Sequence, residues 1–339
     1  MATGPFRRLA LLTPVLEDWE SFAALVSAID SLYSERDFLL RIFAIDDGSS
    51  TSPETNRISL GSDSCIVDVE VLHLALNLGH QRAIAVGLTQ IAGRDDIDAV
   101  VVMDSDGEDR PEDILFLLAA AHRNPDHVIL AKRTKRSESR TFRAFYALYK
   151  AFFRVLTGEP ISFGNFCLVP IEGVRHLVHM AELWNNFPIS ILRSRLRRHF
   201  VPTPRGRRYA GASKMDLTAL IVHGMSAMSV YIEVIFVRLL LGSAAVAGLL
   251  LLGITVAVVI RLVTDLAIPG WTTTAVGVLA ILLAQTTSLV AATALMVLSG
   301  RRTRPMIPVL DFKPLLSRVE RLEVARSAAS PSAKKLTVD

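Results

Sequence analysis

Short apolar runs alternate with longer amphipathic segments through the first third of the chain. Two of these segments, residues 18–32 and 80–92, carry apolar side chains at helical spacing. A strand that is buried on both faces reads as a continuous apolar run, so the alternation predicts an α/β fold with a mostly parallel, doubly wound sheet. The apolar runs of strand length are residues 9–13, 39–45, 69–75, 98–103 and 127–131.

Two much longer apolar stretches lie in the last third of the chain. Residues 239 to 260, 22 positions in all, include no charged side chain, and a second uncharged stretch covers residues 266–300. A helix rises ~1.5 Å per residue, so 22 residues span about 33 Å, enough to cross a hydrocarbon core of ~30 Å. Buried core helices of this length are uncommon. We therefore predict two transmembrane helices, at about 239–261 and 273–298.

Arginine placement predicts the orientation of these two spans. Arg238 precedes the first stretch, and Arg301, Arg302 and Arg304 follow the second. Positive residues favour the cytoplasmic side, so both termini and the large N-terminal domain are expected in the cytoplasm, with the spans in the cell inner membrane. The expected parts are a cytoplasmic domain at 1–214, an amphipathic interfacial segment at 215–237, two membrane helices at 238–300, and a cytoplasmic tail at 301–339 that ends in disorder.

Composition narrows the class of protein. The 339 residues are 51% hydrophobic and carry a net charge of only +4, with arginines in clusters rather than in one broad basic face. Such clusters suit phosphates or anionic lipid headgroups, and we expect no nucleic-acid partner. Cys65 and Cys167 are the two cysteines and lack metal-ligand spacing, which argues against a disulfide scaffold.

The stretch "VVMDSDGEDRPED" begins like a buried strand and ends in acids. Asp104, Asp106 and Glu108 alternate, so an extended backbone would point all three side chains the same way. Carboxylates on one side of a loop suit Mg²⁺ or Mn²⁺, and Mg²⁺ is commonly held by one or two carboxylates plus substrate phosphates. An acidic turn before a helix that opens at Pro111 is the plainer interpretation.

Seven segments together are more specific than any one of them: "TPVLED", "AIDDGSS", "LNLGHQRAIAVGL", "MDSDGEDRPED", "KRTKRSES", "GNFCLVP" and "RRYAGASK", followed by the two apolar stretches. In this order and spacing the chain resembles inverting family 2 glycosyltransferases of the GT-A fold. The resemblance is to their polyprenyl-phosphate subgroup, which includes dolichyl-phosphate mannose synthases and bacterial bactoprenol glucosyl transferases. It covers residues 9 to about 300.

The resemblance implies a substrate pair and a role for each matching residue. The enzyme would move a sugar from a UDP- or GDP-linked donor to a polyprenyl phosphate lipid at the membrane, using Mg²⁺ or Mn²⁺, and homo-oligomers are known among such relatives. Asp106, Arg136 and Asn165 would stand at the reacting centre. The nucleotide pocket would include Pro14, Asp18, Ile45, Asp46 and Asp47, with Asp104 and Ser105 at the nucleotide and ribose.

The same resemblance assigns the metal and the phosphates. Arg133 would reach the donor phosphates, while Arg208 and Lys214 would reach the diphosphate from a mobile loop. Arg136 and Ser139 would bind the acceptor phosphate. The metal ligands would be Asp104, Asp106 and Glu108.

Several positions depart from the family pattern. Leu16-Glu17-Asp18 replaces the usual Tyr-Asn-Glu, and Glu108 replaces a common Gln. Asn165 stands where the family usually has Asp, and an amide cannot act as a general base. A phosphate acceptor, whose second pKa is ~6, is already ionised near pH 7 and needs no base. Asn165 therefore favours a lipid-phosphate acceptor, or else marks a slow or inactive enzyme.

Two other functions stay open from the sequence. One is a family 2 transferase with a carbohydrate acceptor, although the chain lacks the processive Gln-x-x-Arg-Trp signature and has too few spans for an export channel. The other is a degenerate membrane adaptor, which the changes at Leu16, Asp18 and Asn165 would allow. His80, beside Asn77 and Gly79, could approach the donor, although a helix-start residue is the plainer interpretation, and His73 is given no role.

Overall fold

The computed structural model describes residues 6–33, 38–53, 58–133, 151, 153–158, 164–210, 225–226, 228–264, 268–300, 304–323 and 325–326. The chain divides into two compact units. Unit 1 comprises residues 1–140, 162–230 and 306–339, and unit 2 comprises 141–161 and 231–305.

Unit 1 is built on an eight-stranded sheet with the strand order β8-β6-β7-β5-β1-β2-β4-β9. β7 is antiparallel to both neighbours and β9 is antiparallel to β4, while the other pairings are parallel. The strands are β1 Arg8–Val15, β2 Leu39–Asp46, β4 Ile66–Leu74, β5 Ala99–Val102, β6 His127–Arg133, β7 Cys167–Pro170, β8 Arg197–Thr203 and β9 Leu316–Arg321, with a separate pair β3 Ser59–Leu60 and β10 Ala325–Arg326.

Helices cover both faces of this sheet. The helices of unit 1 are α1 Trp19–Tyr33, α2 His80–Ala92, α3 Ile114–Arg123, α4 Ile171–Leu177, α5 Phe187–Arg193 and α8 Pro308–Asp311. One core contains α1 residues such as Phe22 and α3 residues such as Leu117; the other contains α2 residues such as Ile84 and α5 residues such as Phe187. The predicted α/β fold with a mostly parallel sheet is confirmed.

Close packing of α2 onto the sheet depends on one small residue. A Cβ at Gly87 would lie 2.7 Å from the side chains of both Leu12 and Ile45. These are fully buried residues on β1 and β2, so a larger side chain would force α2 away from the sheet. The helix begins at the carboxyl ends of these strands, and its position fixes what stands there.

Unit 2 contains the two long apolar helices, α6 Ile232–Val263 and α7 Trp271–Gly300. Both are long and apolar enough to cross a membrane, and only Ile235 and Ala257 of their described side chains are buried. The helices lie against each other, with Gly253 of α6 beside Leu279 of α7. Each helix contains the span predicted from the sequence, and α6 begins seven positions before residue 239.

The described part after the second apolar helix contains strands that the sequence analysis did not predict, while the end expected to be disordered lies outside the described residues. β9 adds an antiparallel edge to the sheet beside β4, and Phe312 and Leu322 are buried in its two cores. The described portion of the expected cytoplasmic tail is thus part of unit 1. Both cysteines are buried and free, as expected for a chain without a disulfide scaffold.

Candidate active site

Polar side chains collect at one edge of the sheet, where β5, β1 and β2 end. These strands are adjacent and parallel, so their carboxyl ends share an edge. Asp46 closes β2, Asp47 follows it, and Asp104 comes two residues after the end of β5 at Val102. In open α/β sheets ligands bind beyond this edge, so the candidate site is located by topology before any side chain is considered.

The acidic segment after β5 is a turn and not an extended strand. Glu108 donates its backbone N–H to Asp106 Oδ1 at 2.9 Å, and Gly107 between them has a φ of 85°. Glycine adopts this left-handed backbone without the steric cost that a side chain brings. The backbone therefore folds back at Gly107, and the side chains of Asp104, Asp106 and Glu108 do not alternate along an extended strand as expected.

The loop at residues 204–210 lies directly on this turn. The Gly206 N–H donates to the Glu108 carbonyl and the Tyr209 N–H donates to the Asp106 carbonyl, both at 2.9 Å. A Cβ on Gly107 would lie 2.7 Å from the Arg207 carbonyl oxygen, and one on Gly206 would collide with the Gly107 carbonyl. The two glycines therefore allow a backbone-to-backbone contact that delivers the loop's arginines to the acids.

Three arginines converge on Glu108. Arg205 and Arg208 contact Oε1, at 2.7 and 3.1 Å, while Arg133 lies 3.5 Å from Oε2. Arg208 also reaches Asp106 Oδ2 at 2.8 Å. Burial favours the neutral form of Glu108, but the neighbouring arginines, Arg205 first, outweigh it and lower its pKa. Glu108 thus acts as an anchor for arginines in this arrangement.

Asp109 is a buried acid that organises the same region. Its side chain is only 3% exposed; Oδ1 accepts from Arg133 Nη2 at 3.0 Å, and Oδ2 accepts the Asp104 N–H at 3.2 Å. Burial and then the Asp104 charge raise the pKa of Asp109, whereas for Arg133 the attraction of Asp109 outweighs burial and raises the pKa. Asp109 therefore holds the expected phosphate-binding arginine against the acidic segment.

The start of α2 forms the opposite wall. Asp47 accepts the backbone N–H of Leu78 at 2.7 Å and of Gly79 at 3.0 Å, and burial is the main cause that raises its pKa. The next residue, His80, places Nε2 3.3 Å from Asp104 Oδ1. Asp47 and Asp104 follow different strands, and the first turn of α2 connects them.

Asn165 is fixed from two sides. Its Nδ2 lies 2.7 Å from His80 Nε2, and its Oδ1 accepts from Gln81 Nε2 at 3.0 Å. Gln81 in turn accepts the Phe187 N–H at 2.8 Å, which ties the network to the start of α5. Asn165 thus stands beside His80, next to Asp104, and its role at the reacting centre stays a prediction.

The charges around His80 oppose its burial. Burial acts to lower its pKa, but Asp104 first and Asp47 after it outweigh that effect, so the pKa of His80 is raised. The partner shows the opposite result: burial would raise the pKa of Asp104, but His80 outweighs it and the pKa is lowered. Both shifts have the same cause, the attraction between His80 and Asp104 at the head of α2.

The expected nucleotide pocket lies at the ends of β1 and β2. Pro14 and Ile45 are direct neighbours in the strand register, and Asp18 is half-buried in the loop before α1. The Ile45 side chain is fully buried in the core under α2, so only its main chain is available at this edge. Ser105 is buried beside Asp104. The pocket roles of these residues stay predictions.

The residues were tested for their fit to a divalent cation. Asp104 Oδ1 is buried and receives no well-aligned hydrogen bond among the described residues, and Asp106 keeps unused lone pairs beside its two contacts. Glu108 is fully engaged by arginines. No group of three His, Cys, Asp or Glu side chains within the described ranges is arranged to hold an ion. A site for Mg²⁺ or Mn²⁺ on Asp104 and Asp106 would need substrate phosphates to complete it, and the metal roles of Asp104, Asp106 and Glu108 stay predictions.

Three expected site residues, Arg136, Ser139 and Lys214, lie outside the described residues. Besides Pro14, Asp18, Ile45 and Ser105, the described site residues form two connected groups. Asp46 and Asp47 belong to the turn after β2, and the other group contains Asp104, Asp106, Glu108, Arg133, Asn165 and Arg208. The first turn of α2 links the groups through Asp47, Gly79 and His80.

Sequence reasoning missed Asp109, Gln81 and Arg205, and it preferred a helix-start role for His80. Asp109 lies inside a recognised segment and Arg205 stands two residues before one, but their partners Arg133 and Glu108 are 24 and 97 positions away. The position of His80 beside the glycine of "NLGH" was the one available signal. The other contacts depend on how distant loops meet.

Two sequence comparisons relate part of this chain to glycosyltransferases. Residues 19–169 match the family model described as Glycosyl transferase family 2. An uncharacterized glycosyltransferase of Bacillus subtilis (strain 168) is 27% identical over 240 residues, 67% of this chain and 69% of that protein. An undecaprenyl-phosphate 4-deoxy-4-formamido-L-arabinose transferase of Yersinia pestis (strain Pestoides F) is 24% identical over 221 residues, and the match spans 64% of this chain and 65% of that protein.

Among solved structures, the glucosyl-3-phosphoglycerate synthase of Mycobacterium tuberculosis, in complex with Mn²⁺, UDP-glucose and phosphoglyceric acid, aligns with 68% of this chain and 80% of its own. The TM-score is 0.48 and the sequence identity is 13%. The mannosyl-3-phosphoglycerate synthase of Rubrobacter xylanophilus aligns with 66% of this chain and 72% of its own, with a TM-score of 0.44 and 15% identity.

Proposed function

We propose that this chain, whose residues 19–169 form a glycosyl transferase family 2 domain, is a membrane-bound, metal-dependent glycosyltransferase. It transfers a sugar from a UDP- or GDP-linked donor to polyprenyl phosphate, with inversion at the anomeric carbon. An undecaprenyl-phosphate sugar transferase is among its relatives. The observation that carries the proposal is the meeting of Asp104 and Asp106 with Arg133 and Arg208 at the carboxyl edge of the sheet.

The charge pattern suits a diphosphate leaving group. A departing nucleoside diphosphate gains negative charge, and arginine offers phosphate a planar pair of donors. Arg133 and Arg208 are about one-third exposed, so both are open to a ligand although each is already paired with an acid. Fixed positive groups in a partly buried site stabilise developing charge without rearranging during the reaction.

Each site residue is proposed to bind a different part of the substrates or the metal. Asp104 and Asp106 would hold Mg²⁺ or Mn²⁺, which supplies Lewis-acid stabilisation of the donor phosphates when bound. Arg133 and Arg208 would bind the diphosphate, and Arg136 and Ser139 are proposed for the acceptor phosphate. The acceptor oxygen attacks the anomeric carbon from the face opposite the leaving diphosphate, so the C–O bond to the diphosphate breaks and the configuration inverts.

Asn165 supports a phosphate acceptor. Its amide is held between His80 and Gln81, and an amide does not take a proton from an attacking hydroxyl. An ionised phosphate oxygen attacks without losing a proton. The site therefore matches the chemistry of a lipid phosphate better than that of a sugar hydroxyl.

The two apolar helices support a membrane location. The chain leaves unit 1 before Tyr231 and is part of it again from Met306, where the tail adds β9 to the sheet. A chain that spans a membrane and then rejoins the same sheet crosses an even number of times. Two spans satisfy this condition, and the arginines at both outer ends favour the cytoplasmic face of the inner membrane for the domain and both termini.

The direct test is transfer by the purified full-length protein in lipid nanodiscs. UDP- and GDP-sugars are each offered with Mg²⁺ or Mn²⁺ and one of three acceptors: undecaprenyl phosphate, undecaprenol or a soluble oligosaccharide. Transfer is expected only to the phosphate, and chelation with EDTA is expected to abolish it. Asp106→Asn should lower kcat/KM at least about a hundredfold, whereas the exposed Asp126→Asn should match wild type.

Two results would contradict the proposal. Transfer to the oligosaccharide in preference to the lipid phosphate would identify a carbohydrate acceptor. Failure of the wild-type protein to bind UDP or GDP by calorimetry, with or without metal, would identify a degenerate adaptor.

A further inference from the structure

The tail beyond the second apolar helix is hydrogen-bonded to β4, the strand that lies beside β2 in the sheet. Leu322 donates its N–H to the Val69 carbonyl at 2.9 Å, and Ala75 donates to the Leu315 carbonyl at 2.9 Å. Arg321 reaches the buried Asp68 at 2.8 Å. These bonds bracket β9 at both ends, so its register against β4 is fixed.

This register places a histidine between two carboxylates. His73, 8% exposed near the end of β4, lies opposite Asp46 of β2 on one side and opposite Arg318 of β9 on the other. Its Nδ1 is 2.7 Å from Asp46 Oδ2, and its Nε2 is 3.1 Å from Glu320 Oε2. His73 thus bridges Asp46 of the candidate nucleotide pocket and Glu320 of the tail. Glu320 lies 247 positions after His73 along the chain.

Asp46 transmits this contact to the turn after β2. Its second oxygen, Oδ1, accepts the Ser49 N–H at 2.9 Å. Ser49 Oγ in turn accepts the Glu17 N–H at 2.9 Å, which connects the turn to the loop after β1. Both loops stand at the edge where the donor nucleotide is proposed to bind, so the orientation of Asp46 affects two walls of the pocket.

We propose that Glu320 and His73 are positioning residues for the donor nucleotide. Glu320 orients the His73 ring, the ring orients Asp46, and Asp46 holds the turn that receives the nucleotide. The inference rests on the proposed function and deepens it, because it makes the segment after the membrane helices a part of the donor site. Neither Glu320 nor His73 needs to touch the substrate.

A purely structural role makes a different prediction. Glu320 also pairs with Arg318 at 3.0 Å, and exposed ion pairs of this kind contribute little to stability. If Glu320 only helps to attach the tail, its removal changes the thermal midpoint slightly and leaves nucleotide affinity unchanged. If it positions Asp46, nucleotide affinity falls while the thermal midpoint and kcat stay near wild type.

The experiment is calorimetric titration of full-length protein in detergent with UDP and with GDP, each in Mg²⁺ buffer. Glu320→Ala is expected to weaken the binding of the cognate nucleotide about fivefold, as for loss of one modest hydrogen bond, and to raise the donor KM equally with little change in kcat. Glu320→Gln keeps an accepting oxygen and should restore most of the affinity. Glu323→Ala, an exposed glutamate on the same segment, is the matched control.

A second pair of variants tests the ring itself. Asparagine places an N–H near the position of the histidine Nδ1, so His73→Asn should retain more nucleotide affinity than His73→Phe, which has no donor for Asp46. Equal affinity of wild type and Glu320→Ala, or equal affinity of the two His73 variants, would overturn the inference. If wild type binds neither nucleotide, the proposed function fails first, and that result is distinct from a wild type that binds while its variants bind equally well.

Discussion

The Arg133 guanidinium donates to the buried carboxylate of Asp109, with 3.0 Å between Nη2 and Oδ1. The other oxygen of Asp109 accepts the Asp104 N–H. One acid therefore holds both a proposed phosphate-binding arginine and a proposed metal ligand. The Asp109 side chain is buried, and an unpaired charge in a buried position costs folding free energy. Its contacts with Arg133 and the Asp104 N–H are therefore needed to stabilise it there.

Asp109→Asn is expected to reduce kcat/KM for the nucleotide sugar by about ten- to a hundredfold, the usual size for losing a residue that orients a ligand-binding group. The amide still fills the space, but it keeps only one of the two oxygens that accept from Arg133 and from the Asp104 N–H. Steady-state kinetics measures the loss, and circular dichroism checks that the protein remains folded. Wild-type kinetics in a folded Asp109→Asn protein would show that Arg133 needs no such partner.

Glu108→Gln separates the two roles available to Glu108. In the structure the side chain anchors Arg133, Arg205 and Arg208, so the change should raise the donor KM and leave the half-saturating Mg²⁺ concentration within about twofold of wild type. Metal titration of activity at saturating donor gives the answer. A rise of about tenfold or more in that concentration, as expected for Asp106→Asn, would make Glu108 a ligand after all.

Much of the fold could be predicted because its signals are local. A strand buried on both faces must be apolar, and α2, expected at residues 80–92, has these bounds in the structure. β9 escaped prediction since "LSRVER" is short, charged and exposed on one side, as an edge strand is. Its pairing with β4 depends on a partner more than 240 positions away.

The site was predictable in part for the same reason. Asp104, Asp106 and Asn165 lie in motifs whose spacing can be read along the chain, and the structure brings them to one edge. The alternation of acids assumed an extended backbone, whereas the turn at Gly107 agrees with the plainer interpretation of an acidic turn before a helix. The pairing of Asp109 with Arg133 follows from tertiary packing, which no local pattern encodes.

Asn165→Asp tests the class of acceptor. An aspartate restores the usual family residue, but it loses the amide N–H beside His80 and adds a carboxylate near Asp104. With polyprenyl phosphate as acceptor, kcat should stay the same or fall, because an ionised phosphate gains nothing from a base. A gain of about tenfold or more would mean that proton removal limits the wild-type enzyme, while the exposed Asn185→Asp serves as the matched control.

Glu17 gives a pH dependence whose sign can be stated. Its carboxylate accepts from the Ser50 N–H and from the Thr51 hydroxyl at 2.8 Å, and these bonds, Ser50 first, lower its pKa to about 2 from an ordinary value of 4.5. A folded-state pKa below the unfolded value contributes stability above pH 4.5, and this contribution is lost as the pH falls towards 2.

Glu17→Gln should therefore have a lower thermal midpoint than wild type near neutral pH, and the gap should close as the pH falls from about 4.5 to about 2. Scanning calorimetry of both proteins in detergent across this range measures the gap. The same change at Glu20, exposed on α1, controls for the general effect of removing an acid and should give a curve parallel to wild type. A gap for Glu17→Gln that is constant with pH would mean that the bonds to Ser50 and Thr51 do not favour the ionised carboxylate.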